Sequence, residues 1–201
     1  MSRMRRMVQG AFLSGGAVFV SMVAMLAVVK MVSNTYSLAE VAIFTLLLLW
    51  ADFFNILNNF GLWVALPKLV AAADGEKRAA IVGSAMSIQA FISAVLGGVV
   101  LGLWWVLPPF ETMSGAADWK AIQPYCWILP PLFIVGTLRD NAMAALAGLN
   151  CYGRRAVGIV VSSLMQVVLV YVLVWRMQGG ISTLLCAMLA SYTLALVWLY
   201  L

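Results

Sequence analysis

The stretch GTLRDNAMAALAGLN, residues 136–150, sets Arg139 beside Asp140 inside an apolar run that extends from Cys126 to Leu149. A second polar set, Asp52, Asn55, Asn58 and Asn59, stands inside the run that begins at Ser37. Positions 52, 55 and 59 follow the i, i+3, i+7 spacing that puts three side chains on one helix face. Gln89 and Gln166 add uncharged polar groups to two further runs, and Lys30 stands near the end of another. The chemistry these residue types offer is ion pairing and hydrogen bonding. The parts for bond-making chemistry are missing. There is no histidine, and Cys126, Cys151 and Cys186 are an odd number without C-x-x-C spacing. That excludes a zinc site and a Cys/His nucleophile. The Gly-Gly pairs at 15–16, 97–98 and 179–180 lack the Lys and Ser/Thr of a phosphate loop. No loop offers the paired carboxylates or metal ligands of a membrane enzyme, so no enzymatic activity, metal or cofactor is expected.

The elements that must position these residues are membrane helices. The 201 residues are 65% hydrophobic and only 9% charged, with a mean hydropathy of +1.03, whereas soluble domains carry about 25% charged residues. Six stretches are long enough to span a bilayer, for which about 20 apolar residues suffice: Gln9–Val32, Ser37–Pro67, Ala79–Leu107, Ala121–Leu149, Ala156–Trp175 and Gly180–Leu201. None alternates polar and apolar residues at period two, which argues against a β-barrel. The fold class is all-α, a polytopic membrane helix bundle forming a single domain over 1–201. The basic segment MSRMRRM leads into about twenty apolar residues with no small-residue cleavage region after them, so the first stretch reads as a helix and not a signal peptide.

The loops set orientation. Arg3, Arg5, Arg6, Lys68, Lys77, Arg78, Arg154 and Arg155 fall on one side; Lys30, Lys120 and Arg176 fall on the other, beside Glu40, Glu111 and Asp118. The positive-inside rule places both termini in the cytoplasm, with 68–78 and 150–155 cytoplasmic and 108–120 outside. The net charge of +5 is loop bias, and no nucleic-acid partner is implied. Trp104, Trp105, Trp119 and Trp127 are expected in an outer aromatic belt.

Ser37 and Glu40 form a capping-box pattern that starts the second stretch. At about 1.5 Å per residue Asp52 lies about 18 Å beyond Glu40, and Arg139 lies about 18 Å beyond Trp127. Two opposite charges thus stand at one depth on helices of the same direction. Against lipid each costs about 2.5–3.5 kcal/mol, so both must face protein or water. Two readings follow. In one, Asp52 and Arg139 neutralise each other and glue two helices together, and the asparagines are interhelical hydrogen-bond glue. In the other, Asp52, Asn55, Asn59, Gln89, Arg139 and Gln166 surround a solvated transport cavity. Pro130 and Pro131 are expected to bend the outer half of the fourth helix. Gly98 and Gly102 form a G-x-x-x-G, which reads as close helix packing.

The segment SLAEVAIFTLLLLWADFFNILNNFGLWVALPKLVAAADGEKRAAIVGSAMSIQ resembles the second and third helices of polysaccharide flippases in the multidrug/oligosaccharidyl-lipid/polysaccharide (MOP) exporter superfamily. Glu40 to Phe44 match that family's Glu-Tyr-Gly-x-Phe without its Tyr and Gly. Asn59 to Leu62 resemble its Asp-x-Gly-Leu, Lys68 its following basic residue, and LAGLNCYGRRA its Leu-x-Gly-x-x-Arg loop. The resemblance implies a transporter that flips a lipid-linked oligosaccharide or polysaccharide precursor across the bacterial inner membrane by alternating access. It also implies a substrate pyrophosphate held by Arg139, with Lys30 as a weaker candidate. Asp52 or Asp140 would hold Arg139 in the empty cavity or carry a coupling H+ or Na+. Six helices make one lobe, so the chain is expected to be an N-terminal lobe. Its partner is a second six-helix lobe, supplied by a missing C-terminal half or by a homodimer. The alternatives are a multidrug or other exporter of the same superfamily, and a non-transporting membrane subunit of a polysaccharide secretion complex.

Overall fold

The computed structural model describes residues 3–106, 122–176 and 178–200, with side chains omitted for 3–7, 104–106, 175 and 200. Among the described residues there are seven α-helices: α1 (Arg3–Thr35), α2 (Leu38–Asn59), α3 (Leu62–Ala72), α4 (Gly75–Val106), α5 (Leu129–Gly148), α6 (Tyr152–Val170) and α7 (Ile181–Tyr200). A 3₁₀ turn, Gln123–Ile128, leads into α5, and a π-helical turn, Tyr171–Arg176, extends α6. No strand occurs among the described residues. The chain is an all-α, multi-pass membrane bundle.

Among the described residues five helices are long and apolar enough to cross a membrane: 8–35 in α1, α2, 75–103 in α4, 152–174 through α6, and 181–199 in α7. The fourth expected span, Ala121–Leu149, which contains α5, behaves differently. Twelve of the twenty residues of α5 are buried, because α5 packs against α2, α3, α4, α6 and α7. A helix carrying Arg139 and Asp140 is thereby withdrawn from lipid. The helices around it show lipid their apolar side chains instead, such as Phe12, Leu26 and Phe91.

Local chemistry explains the boundaries. Ser37 caps α2 as its sequence pattern predicts: its backbone N–H donates to Glu40 Oε2 at 2.9 Å, and Glu40 N–H donates back to Ser37 Oγ at 3.4 Å. The second expected span, Ser37–Pro67, is not one helix. Phe60 (φ 45°) and Gly61 (φ 76°) both adopt the left-handed conformation and separate α2 from α3; glycine takes this geometry without a Cβ penalty. Pro130 and Pro131, expected to bend the outer half of the fourth span, occupy the first turn of α5, directly after the 3₁₀ turn, a position where proline is well tolerated. The expected close packing at Gly98 and Gly102 shifts by one residue. Both face open space, whereas a Cβ on Gly97 would stand 3.2 Å from Ile134 and 3.3 Å from Pro130 of α5.

The three basic segments share one end of the bundle. A Cβ on Gly10 would meet the Tyr152 ring at 2.7 Å, and one on Gly148 would meet the Pro67 carbonyl oxygen at 2.7 Å. These approaches bring the start of α1, the region of α3 and the α5–α6 turn together. At the other end Tyr36 Oη donates to the Gly179 carbonyl at 2.6 Å, tying the α1–α2 turn to the α6–α7 turn. Burial, with Glu40 nearby, pushes the Tyr36 phenol up to about 12. The main apolar core lies toward this second end, where Val28, Val32, Phe44, Leu47, Leu129, Leu132, Leu184 and Leu185 pack together. Trp127 is exposed; the side chains of Trp104 and Trp105, residue Trp119 and the 108–120 loop lie outside the described residues.

Candidate functional site

Below that core a chain of polar side chains crosses four helices. On α4, Gln89 Nε2 donates to the Asn58 carbonyl at 2.8 Å and to Asn58 Oδ1 at 3.1 Å. Asn58 Nδ2 donates to Ser93 Oγ at 2.6 Å and to Thr137 Oγ1 at 3.1 Å. Thr137 Oγ1 lies 2.6 Å from Asn55 Oδ1, which accepts from it. Asn55 Nδ2 donates to Asp140 Oδ2 at 3.3 Å. Arg139 donates to Asp140 Oδ1 from Nε at 3.0 Å and from Nη2 at 2.7 Å. Its guanidinium also lies 4.1 Å over the Tyr192 ring of α7, a cation–π contact. Gln89, Asn58, Ser93 and Thr137 are wholly buried, so the network ties α4, α2, α5 and α7 together where lipid offers no competing water.

A cavity of about 810 Å³ adjoins the network. One wall comes from α2, α3 and α5, with Asn55, Asn59, Trp63, Pro67, Arg139 and Asp140; the other comes from α1 and α6, with Ser21, Arg155, Ile159, Ser162 and Ser163. The wedge lies between a helix pair, α1 and α6, that pack closely on each other and the group centred on α5.

The structure separates the residues singled out in the sequence. Asn55, Asn59, Arg139 and Asp140 meet at the cavity. Asn59 Oδ1 there accepts the Trp63 N–H at 3.0 Å, capping α3. Gln89 is buried within the network and off the cavity wall. Gln166 is half-buried on α6, its Nε2 lacking a partner among the described residues, and it too stands off the wall. Lys30 is exposed on α1. Asp52 is exposed, and it lies within electrostatic range of Arg139 and Asp140. It makes no hydrogen bond or ion pair among the described residues. Of the two acids expected as partners of Arg139, Asp140 makes the ion pair and Asp52 does not. Adjacent helix residues diverge by about 100°, but the long arginine side chain folds back over that angle.

Sequence reasoning passed over Ser93, Thr137, Tyr192, Ser21, Ser162 and the cavity role of Arg155, and it named Asn58 only among the asparagines expected as interhelical glue. Ser93 follows Gln89 by one helical turn, which was a usable signal. Tyr192 and Ser21 carried none, because only the fold brings α7 and α1 to α5. No group of three or more His, Cys, Asp or Glu suited to a metal occurs among the described residues.

No family model matches the chain, and no curated protein matches it in sequence. Its fold does have solved counterparts. One is an outward-facing multidrug resistance MATE family transporter of the MOP superfamily, similar over 96% of this chain and 43% of that one, with a TM-score of 0.74 at 18% identity. Another is a MOP superfamily transporter from Pyrococcus furiosus in which a reversed polarity of the binding pocket suggests a different function; it is similar over the same shares, with a TM-score of 0.68 at 16% identity. The chain thus has the fold of a part of the MOP transporters and spans 43% of the length of these two.

Proposed function

We propose that the chain is one lobe of an alternating-access transporter that moves a lipid-linked saccharide with a phosphate-bearing head, completed by a second six-helix lobe. The observation that carries this reading is the charge of the cavity: Arg139 and Arg155 stand against one acid, Asp140, whose charge is already engaged by Arg139. A net positive wall suits an anion and repels a cation; a multidrug exporter is the runner-up on the same fold. The amides and hydroxyls beside the arginines offer hydrogen bonds to sugar. Asp52, exposed near Arg139, is our candidate for carrying a coupling H+ or Na+. The fold resemblance supports transport in general and is equally compatible with the multidrug alternative.

The probe for cargo class is farnesyl diphosphate against ethidium, each added to the purified chain in detergent. A bound ligand raises stability by about 2.7 kcal/mol at a hundred times its dissociation constant. The expected result is a rise in melting temperature with farnesyl diphosphate and none with ethidium. Stabilisation by ethidium alone would transfer the assignment to a drug exporter.

Uptake of such a head from the side where it is made requires the basic end to be cytoplasmic, as the loop charges propose. In a background lacking Cys126, Cys151 and Cys186, Gln178→Cys should react with an impermeant thiol reagent in intact cells while Ala73→Cys stays protected. The opposite labelling pattern would invert the orientation.

A further inference from the structure

We infer that Arg155, rather than Arg139, is the residue that first holds the anionic head, with Ser162 and Ser21 lining the deeper cavity beyond it; the inference rests on the proposed anionic cargo. The two cavity walls differ in how their polar groups are satisfied. On the α2–α3–α5 wall, Arg139 is held by two hydrogen bonds to Asp140 and by Tyr192. Asn55 is engaged by Thr137 and Asp140, and Asn59 by the Trp63 N–H. A ligand reaching Arg139 must first displace Asp140.

The α1–α6 wall is the reverse. Arg155 lines the cavity, its Nε is buried without a partner, and its guanidinium makes no ion pair or hydrogen bond among the described residues. Ser162 follows it at i+7, on the same face of α6 and about 10 Å deeper at 1.5 Å per residue, and Ser21 lines the same cavity from α1. Neither hydroxyl donates a hydrogen bond among the described residues, whereas the neighbouring Ser163 Oγ donates to the Ile159 carbonyl at 2.8 Å. A buried guanidinium N–H that lines a cavity without an acceptor is an anion site awaiting one. Arg155 lies in the first turn of α6 and Arg139 in the middle of α5, so the two differ in depth by about 9 Å at 1.5 Å per residue. The arrangement orders events: the head docks at Arg155 near the basic end, and Arg139 engages only after Asp140 releases it.

The recognised chemistry is a phosphate-bearing lipid head, whether of cargo or of the surrounding bilayer. The full chain, reconstituted in phosphatidylcholine nanodiscs, is titrated with farnesyl diphosphate. Losing a hydrogen bond to a charged group weakens binding about 10-fold or more, and that is the loss expected for Arg155→Gln with an unchanged melting temperature. Arg155→Lys should lose an intermediate amount, because lysine keeps the charge without the fork. Arg139→Gln should lower the melting temperature and change affinity less than Arg155→Gln does. Wild-type affinity in Arg155→Gln, or a larger affinity loss in Arg139→Gln, overturns the assignment to Arg155 while leaving the anionic-cargo reading intact. No binding to the wild-type chain removes that reading and the inference together. If phosphatidylglycerol in the nanodisc displaces the diphosphate at equal concentration, the site belongs to bilayer lipid and the cargo assignment fails. A tenfold or greater preference for the diphosphate supports it.

Discussion

Replacing Arg139 by leucine is expected to destabilise the bundle by about 2–3 kcal/mol, and adding Asp140→Asn should restore most of that loss. Breaking a fully buried ion pair costs about 3–5 kcal/mol, because the surviving charge keeps its desolvation penalty without its partner. Here the side chains of Arg139 and Asp140 are 20% and 36% exposed, so water takes up part of the stranded charge and the lower figure applies. Asparagine at 140 removes the charge and keeps an oxygen to accept from Asn55 Nδ2, which now reaches Asp140 at 3.3 Å. The Tyr192 ring loses its cation in either variant, so recovery is incomplete. The control is Asp52→Asn combined with Arg139→Leu. Asp52 makes no hydrogen bond to Arg139, so this pair should melt close to Arg139→Leu alone. Thermal melts in detergent on the wild type and these three variants decide the matter. Rescue by Asp52→Asn and not by Asp140→Asn would return the pairing to Asp52.

That contrast marks where sequence reading stopped. Depth along a helix is legible, because the rise per residue is fixed; Asp52 and Arg139 were placed in one layer on that basis. Rotation about the helix axis and the choice of neighbour are not, because they depend on how α5 is surrounded by α2, α3, α4, α6 and α7. The capping box at Ser37 and Glu40 was readable because a cap is a contact between residues three apart. The break at Phe60–Gly61 was missed because apolarity continues across it: Gly61 permits a left-handed turn but does not demand one. Pro130 and Pro131 were misplaced for a similar reason. Apolarity runs from the 3₁₀ turn into α5, so hydropathy could not show that the α-helix begins at Leu129. Arg155 was read only as a loop charge, although the same guanidinium lines the cavity. Its position in the sequence gives the end of the bundle, and only the packing of α1 on α6 gives the direction in which it opens.

The adjacent asparagines at 58 and 59 should respond very differently to the same substitution. Asn58 is wholly buried and its side chain joins Gln89, Ser93 and Thr137. Interhelical side-chain hydrogen bonds in membrane proteins average about 0.6 kcal/mol, so three bonds alone amount to about 2 kcal/mol. Asn58→Leu also leaves the Ser93 and Thr137 hydroxyls short of a donor and Gln89 Nε2 short of one acceptor, at sites with no water. Each unsatisfied buried group costs about 1–3 kcal/mol. The expected total is about 3–5 kcal/mol, the largest single-residue loss proposed for this chain. Asn59→Leu forfeits one bond, from the Trp63 N–H at the start of α3, a cap of the kind worth about 1 kcal/mol. The two variants differ by one position and about 100° of helix rotation, so general polarity of the region predicts equal effects and the network predicts unequal ones. Combining Asn58→Leu with Gln89→Leu should recover part of the loss, because removing both partners relieves the desolvation that removing one imposes. Equal melting temperatures for Asn58→Leu and Asn59→Leu would mean that the α2–α4–α5 polar chain does not hold the bundle together. A large gap between them, narrowed by the Gln89 change, would identify Asn58 as the hub on which the placement of Thr137, Asn55 and the Arg139–Asp140 pair depends.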